Sequence, residues 1–203
     1  YFRKKTNANA YVDNTSATDG WKYVIATGSE PDYTFELNTN LLYGGLSIGD
    51  EIEYFAVAQD SSASQLVGYS KVQFAEPPES VELLANNFPA SKVFNSYKVL
   101  PSISGVIQVG AGKQYASLTG LNGAFAAINN SALVGNLYIE LTSDLAEFGT
   151  IPLNAIPIEG ASSHRIYIYP TTNVTVSEQS FGSIIKLVDV DNITIDGRIN
   201  MQG

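Results

Sequence analysis

Cysteine is absent from the 203-residue chain, which excludes disulfides and thiolate chemistry and leaves the redox compartment unread. Histidine occurs once: His164, in Ala161-Ser162-Ser163-His164-Arg165, has no carboxylate spaced to orient it as a catalytic base, so a solvated loop histidine is expected. Positive charge is scarce as well. Eleven Lys and Arg against twenty Asp and Glu give a formal net charge of -9, and no basic run follows Arg3-Lys4-Lys5. Nucleic acid and anionic membrane are poor partners for such a chain. Long apolar runs are also missing, and stretches such as Ala124 to Ile128 fall far short of the ~20 residues a membrane helix requires, so no membrane insertion is expected. Tyr, Thr, Ser, Asn and Gly are abundant instead, the composition of a secreted, β-rich surface protein.

The pattern of the second half is the most legible. An apolar-x-apolar unit appears at Leu137-Ile139-Leu141, at Ile166-Ile168 and at Ile193-Ile195, offset by 29 and then 27 residues. A recurrence of that length marks units that cannot bury an apolar face alone and must stack on their neighbours. Each interval holds only short strand candidates, among them 151–158, 173–178 and 184–188, separated by polar corners such as Asp189-Val190-Asp191-Asn192. The expectation is a right-handed parallel β-helix, with an irregular β-sandwich as the alternative. Ahead of it, Leu118, Leu121, Phe125 and Ile128 form one stripe of a short helix able to cover the end of the core.

Residues 1–75 read as strands at 1–5, 21–26, 33–38, 51–59 and 66–74, joined by turn formers, with an extended loop over 6–20. Within 51–59, Ile52, Tyr54, Ala56 and Ala58 share the face expected to be core. Glu76-Pro77-Pro78-Glu79-Ser80 cannot sustain a ladder, so 76–80 is the expected linker, 81–104 a connector, and 105–203 the cap and first turns of the solenoid. The opening Tyr1-Phe2-Arg3-Lys4 reads as the middle of a strand, and continuation of the chain at both ends is expected.

The stretch Leu46-Ser47-Ile48-Gly49-Asp50 leading into GDEIEYFAVAQD, with Tyr1-Phe2-Arg3 and Trp21 upstream, resembles the immunoglobulin-like and fibronectin-III-like modules of large secreted Bacteroidota proteins, here without their first strands. VGAGKQYASLTGLNGAFAAIN followed by GNLYIELTSDL resembles the entrance of pectin-lyase-like β-helices, where a capping helix precedes the first turn. Together the resemblances imply an all-β chain, a partial β-sandwich followed by a capped parallel β-helix, exported to the cell surface or medium.

No motif supplies a catalytic or cofactor-binding residue. Gly110-Ala111-Gly112-Lys113 fails as a phosphate loop, because Ile107 stands where the first glycine belongs and Gln114 replaces Ser or Thr; a turn is expected. Asp144, Glu147, Glu178, Asp189, Asp191 and Asp196 are acids that sugar cleavage or calcium could use. Asp189 and Asp191 are the metal candidates, with Ca2+ the one cofactor considered, although Asp and Asn are also the ordinary residues of strand corners. Four Asn-x-Ser/Thr sequons begin at Asn14, Asn129, Asn173 and Asn192. Trp21, Tyr23 and Tyr33 are candidates for carbohydrate contact, against the plainer reading of aromatic packing. The function expected is a non-catalytic extracellular module for display, adhesion or carbohydrate contact, with surface polysaccharide or another surface protein as partner. The alternatives are the amino-terminal part of a β-helix polysaccharide lyase or hydrolase, and a structural spacer or filament element.

Overall fold

Short alternating apolar runs broken by Gly, Pro, Asn and Asp leave the backbone little choice but brief strands, and the chain is accordingly all-β, with one short α-helix among the described residues and several small sheets, some parallel. The computed structural model describes residues 1–62, 64–69, 71–158, 163–179 and 182–202. Two compact units divide it, Tyr1–Val99 and Leu100–Gly203.

In the first unit, β1 (Phe2–Lys4) pairs antiparallel with β4 (Glu51–Tyr54), which also pairs with β9 (Asn95–Lys98). Three two-stranded ribbons surround this sheet in sequence: β2 (Thr27–Ser29) with β3 (Asp32–Thr34), β5 (Val57–Gln59) with β6 (Val67–Tyr69), and β7 (Val72–Gln73) with β8 (Ser91–Lys92). Aromatic rings fill the core. Trp21 lies 4.9 Å from Phe55 and 5.0 Å from Phe94, and Phe55 meets Phe74 at 5.6 Å, all ring centroid to ring centroid.

Four expectations change here. The boundary falls at Val99 and Leu100 rather than at 76–80, because Leu83, Phe88 and Ala90 must bury against Trp21 and Phe55, and β8 and β9 return to pair within the first unit. Pro77 and Pro78 lie in the connection between β7 and β8 without ending the unit. The expected connector 81–104 is therefore divided, and its last residues open the first strand of the second unit. The strand foreseen over 51–59 breaks after Tyr54, where the Phe55 N–H donates to the Tyr1 carbonyl at 3.0 Å and the Phe55 ring enters the core. The break shifts the alternation, so Ile52 is buried while Ala56 and Ala58 are exposed. Residues 21–26 meet β1 only through an isolated bridge between Phe2 and Lys22.

The second unit is built on a four-stranded parallel sheet: β10 (Ser102–Val109), β11 (Ala132–Leu141), β14 (Ile166–Pro170) and β17 (Ile193–Ile195), in that order. Leu137 stands opposite Ile166, Ile139 opposite Ile168, and these opposite Ile193 and Ile195, which is the recurrence legible in the sequence. Two further parallel pairs repeat the arrangement, β12 (Leu145–Glu147) with β15 (Val176–Glu178) and β13 (Leu153–Asn154) with β16 (Leu187–Val188). Leu137, Ile139, Leu145, Leu153, Ile166 and Ile168 belong to one buried cluster. On the opposite face Tyr138 and Tyr167 stack at 5.1 Å with an interplanar angle of 8°, a cross-strand pair that reinforces the register.

Corners use left-handed backbone where expected: Asp189 has φ 53° and Asn192 φ 57°, conformations that short polar side chains tolerate. Gly110, the first glycine of the failed phosphate loop, has φ 150° and is packed so closely that a Cβ would lie 2.4 Å from Thr142 Oγ1. Its role is a turn.

The helix α1 is shorter than the stripe implied, spanning Ala124–Ile128. Leu118, Phe125 and Ile128 are fully buried, but Leu121 is 72% exposed because Gly120 to Gly123 form turns that rotate it outward. What holds this segment is a carboxylate. Glu147, fully buried at the end of β12, accepts from the Leu118 N–H at 2.6 Å, the Thr119 N–H at 2.8 Å and the Thr119 hydroxyl. The Thr119 hydroxyl oxygen in turn accepts from Gly149, and the Thr119 carbonyl accepts from Ile151 at 2.8 Å. A buried charge is tolerable when its oxygens are satisfied in this way. Removing it strands two buried N–H groups, so Glu147→Ala should cost about 3 kcal/mol or more, and Glu147→Gln should also destabilise by turning an amide donor toward a donor. Urea unfolding followed by NMR of second-unit resonances measures both, and losses below ~0.5 kcal/mol in each would contradict the assignment.

Candidate functional site

The aromatic residues proposed for carbohydrate contact separate into two environments. Trp21 is fully buried, its indole N–H donating to Asn9 Oδ1 at 2.8 Å and its ring covered by the Arg3 guanidinium 4.8 Å from the centroid. It is a core residue and presents no surface to a ligand. Arg3 is held there by an ion pair with Glu53 at 2.8 Å. Tyr23 is half-buried and Tyr33 is 59% exposed, and both line one cleft.

The long loop 6–20 contributes Tyr11 to that cleft. Its order comes from Lys22, a fully buried side chain whose Nζ donates to the Asp13 carbonyl and the Thr18 hydroxyl, each at 2.9 Å, with the Asp13 carboxylate 3.8 Å away. Burial lowers the Lys22 pKa, and Asp13 and Asp19 oppose that shift. Asn14 then fixes Tyr23, accepting from its N–H at 2.7 Å and donating to its carbonyl at 3.1 Å. The side chain of the first sequon is thus occupied in positioning an aromatic residue. Asn129 is similarly engaged, donating to Pro152 and accepting from Asn154.

The cleft has a volume of about 1080 Å³. Tyr1, Tyr11 and Tyr23 form a cluster on one side, with Tyr1 5.5 Å from Tyr23 and 6.2 Å from Tyr11. Val24, Ile25, Phe35 and Leu37, and Val57, Leu66 and Val67, continue the apolar lining. Glu30, Asp60 and Glu82 are the charged side chains of the lining. Of the large apolar residues in the lining, Ile25 at 82% and Leu66 at 67% are the most exposed. Sequence reasoning named Tyr23 and Tyr33 but missed this surface, since alternation placed the core face one residue out of phase at Phe55.

The candidate acids are not assembled into a reactive group. Asp144 accepts from the Thr175 N–H at 2.7 Å, Asp196 pairs with Arg198 at 2.7 Å, and Asp189 and Asp191 are exposed corner residues. The ladder does set Glu147 opposite Glu178, a pairing the sequence spacing did not suggest. Both Glu147 oxygens are occupied by the cap segment, and Glu178 accepts from Gly182. Among the described residues no three His, Asp or Glu side chains group as metal ligands. His164 is half-buried just ahead of β14.

The Tyr1 phenol ties the cleft wall together, donating to the Val81 carbonyl at 3.0 Å and accepting from the Leu83 N–H at 2.7 Å. Burial pushes its pKa up to about 12, against the lowering effect of the Leu83 hydrogen bond. Because the folded value lies above the ordinary 10.0, its stabilising contribution is complete below pH 10 and is lost as pH rises toward 12. Unfolding free energy of the first unit should therefore fall over that alkaline window. In Tyr1→Phe, chemical denaturation should show a lower starting stability, by about 1 kcal/mol, and a smaller alkaline loss; an alkaline loss identical to wild type would contradict this role. Compared with known proteins, the chain matches no family model, no curated protein and no solved structure.

Proposed function

We propose that this chain is a non-catalytic module of a secreted or cell-surface protein of Bacteroidota type, and that it works by contact. In this reading the first unit is a partial immunoglobulin-like or fibronectin-III-like module whose cleft holds a partner. The second is the capped beginning of a right-handed parallel β-helix, a rigid support made of stacked turns. The observation that carries the reading is the cleft itself: a large apolar surface, with aromatic residues held in place from behind, is the kind of exposed patch that marks an interaction site. The topology of the second unit supports its half, since parallel pairs recur in three separate sheets with the same order of strands. Catalysis is disfavoured by the engagement of the best-placed carboxylate, Glu147, in the cap.

The test is binding of the intact chain to whole Bacteroidota cells and to an immobilised polysaccharide panel, beside Ile25→Asp and Tyr33→Ala. Both positions are exposed, so the variants should fold. Saturable cell binding that weakens on the order of tenfold in Ile25→Asp, with no polysaccharide turnover, is expected. Turnover by the isolated chain, or binding unchanged in both variants, would overturn the reading.

A further inference from the structure

Two ribbons border the cleft without joining. The β2–β3 hairpin brings Glu30 and Tyr33 to it, and the β5–β6 hairpin brings Val57, Ala58 and Val67. Each of these four strands has a single ladder partner, so among the described residues each ribbon keeps unpaired main-chain edges. An isolated two-stranded ribbon is marginal in water, and a free edge is a template for further pairing. Apolar side chains of the cleft lining remain in solvent, Ile25 and Leu66 above all. The charged side chains of the lining are of one sign, Glu30, Asp60 and Glu82, with no Lys or Arg, and the amino group of Tyr1 is engaged with the Phe55 carbonyl at 2.9 Å.

We propose that the cleft receives an extended peptide strand donated by another chain, alternating apolar residues with basic ones, and pairing with the free edges of the β2–β3 and β5–β6 ribbons. The proposal rests on the cleft being the contact surface and names its occupant. A strand answers all three features at once. Its N–H and C=O groups extend the ladders, its alternate side chains cover the apolar lining, and its basic residues meet the three carboxylates. A sugar chain covers apolar surface but has no main-chain edge to offer, and an anionic one would face uncompensated carboxylates. The Asp60 carboxylate is held ionised to lower pH than an ordinary aspartate by hydrogen bonds from Ser62 and from the Leu66 N–H.

The experiment titrates the intact chain with a synthetic peptide of about eight residues alternating Val and Lys, a usual strand length, and reads amide exchange by NMR. Saturable binding is expected, with exchange at Asp32–Thr34 or Thr27–Ser29 and at Val57–Gln59 or Val67–Tyr69 slowed on the order of tenfold or more. A Val and Glu peptide should bind at least about tenfold more weakly, and a Val and Lys peptide interrupted by Pro should lose the protection. Equal binding of the Pro-interrupted peptide, absence of edge protection, or preferential occupancy of the cleft by a neutral oligosaccharide would each overturn the proposal. So would edge protection that appears with protein concentration alone, which would make a second copy the occupant. If the peptide fails while cell binding still depends on Ile25, only the strand is wrong; if neither depends on the cleft, the contact surface itself is wrong.

Discussion

Parallel strands can share a core only if each inward side chain lies over its counterpart on the neighbouring strand, and the second unit depends on that constraint. Leu137, Ile166 and Ile193 occupy one row and Ile107, Ile139 and Ile168 the next, while Gly105 at one end adds no side chain and Ile195 at the other is 52% exposed. A slip of one residue would turn the whole row outward and expose most of the buried cluster. Leu118, Phe125 and Ile128 belong to the same buried cluster as these rows, and the segment carrying them is anchored by Glu147. One carboxylate therefore joins a turn-rich, weakly helical segment to a strand far along the chain. The five-residue helix alone has too few hydrogen bonds to be stable, and tertiary contact supplies what propensity does not.

The first unit solves a different problem. Its strands are two to four residues long, too short for a sheet to hold by pairing alone. Aromatic contact replaces length, with Trp21 and Phe55 at the centre and Arg3 over the indole. Lys22 and Asn14 extend this order into the loop 6–20, whose size would otherwise leave it without fixed structure. The cost is a surface that is not closed, since the same rings that make the core leave Tyr33, Phe35 and Ile25 facing solvent.

How much of this the sequence revealed follows from the range of the forces involved. The rows of the second unit were legible because their period is written in residues that repeat, and the corners because Asp189 and Asn192 have a local reason to sit there. Glu147 was visible only as one acid among several, since its partners at Leu118 and Thr119 are distant in sequence and are backbone groups, which any residue provides. The boundary after Val99 was hidden by Pro77-Pro78, a strong local break that long-range burial of Leu83 and Phe88 overrides. The cleft was missed for a related reason: a single break at Phe55 reversed which alternate residues faced inward, and Tyr23 and Tyr33 were recognised without the surface they belong to.

Stacking in register is the centre of this account, and native-state hydrogen exchange on the dilute chain tests it most directly. β11 is paired on both sides, by β10 and β14, whereas β17 has β14 alone among the described residues. Amides of Leu137 to Leu141 should be the slowest of the second unit, with Ile193 to Ile195 exchanging on the order of tenfold faster or more, and Glu147→Ala should speed β11 without changing that order. Protection of Ile193 to Ile195 equal to that of β11, or exchange of β11 ahead of the outer strands, would contradict it.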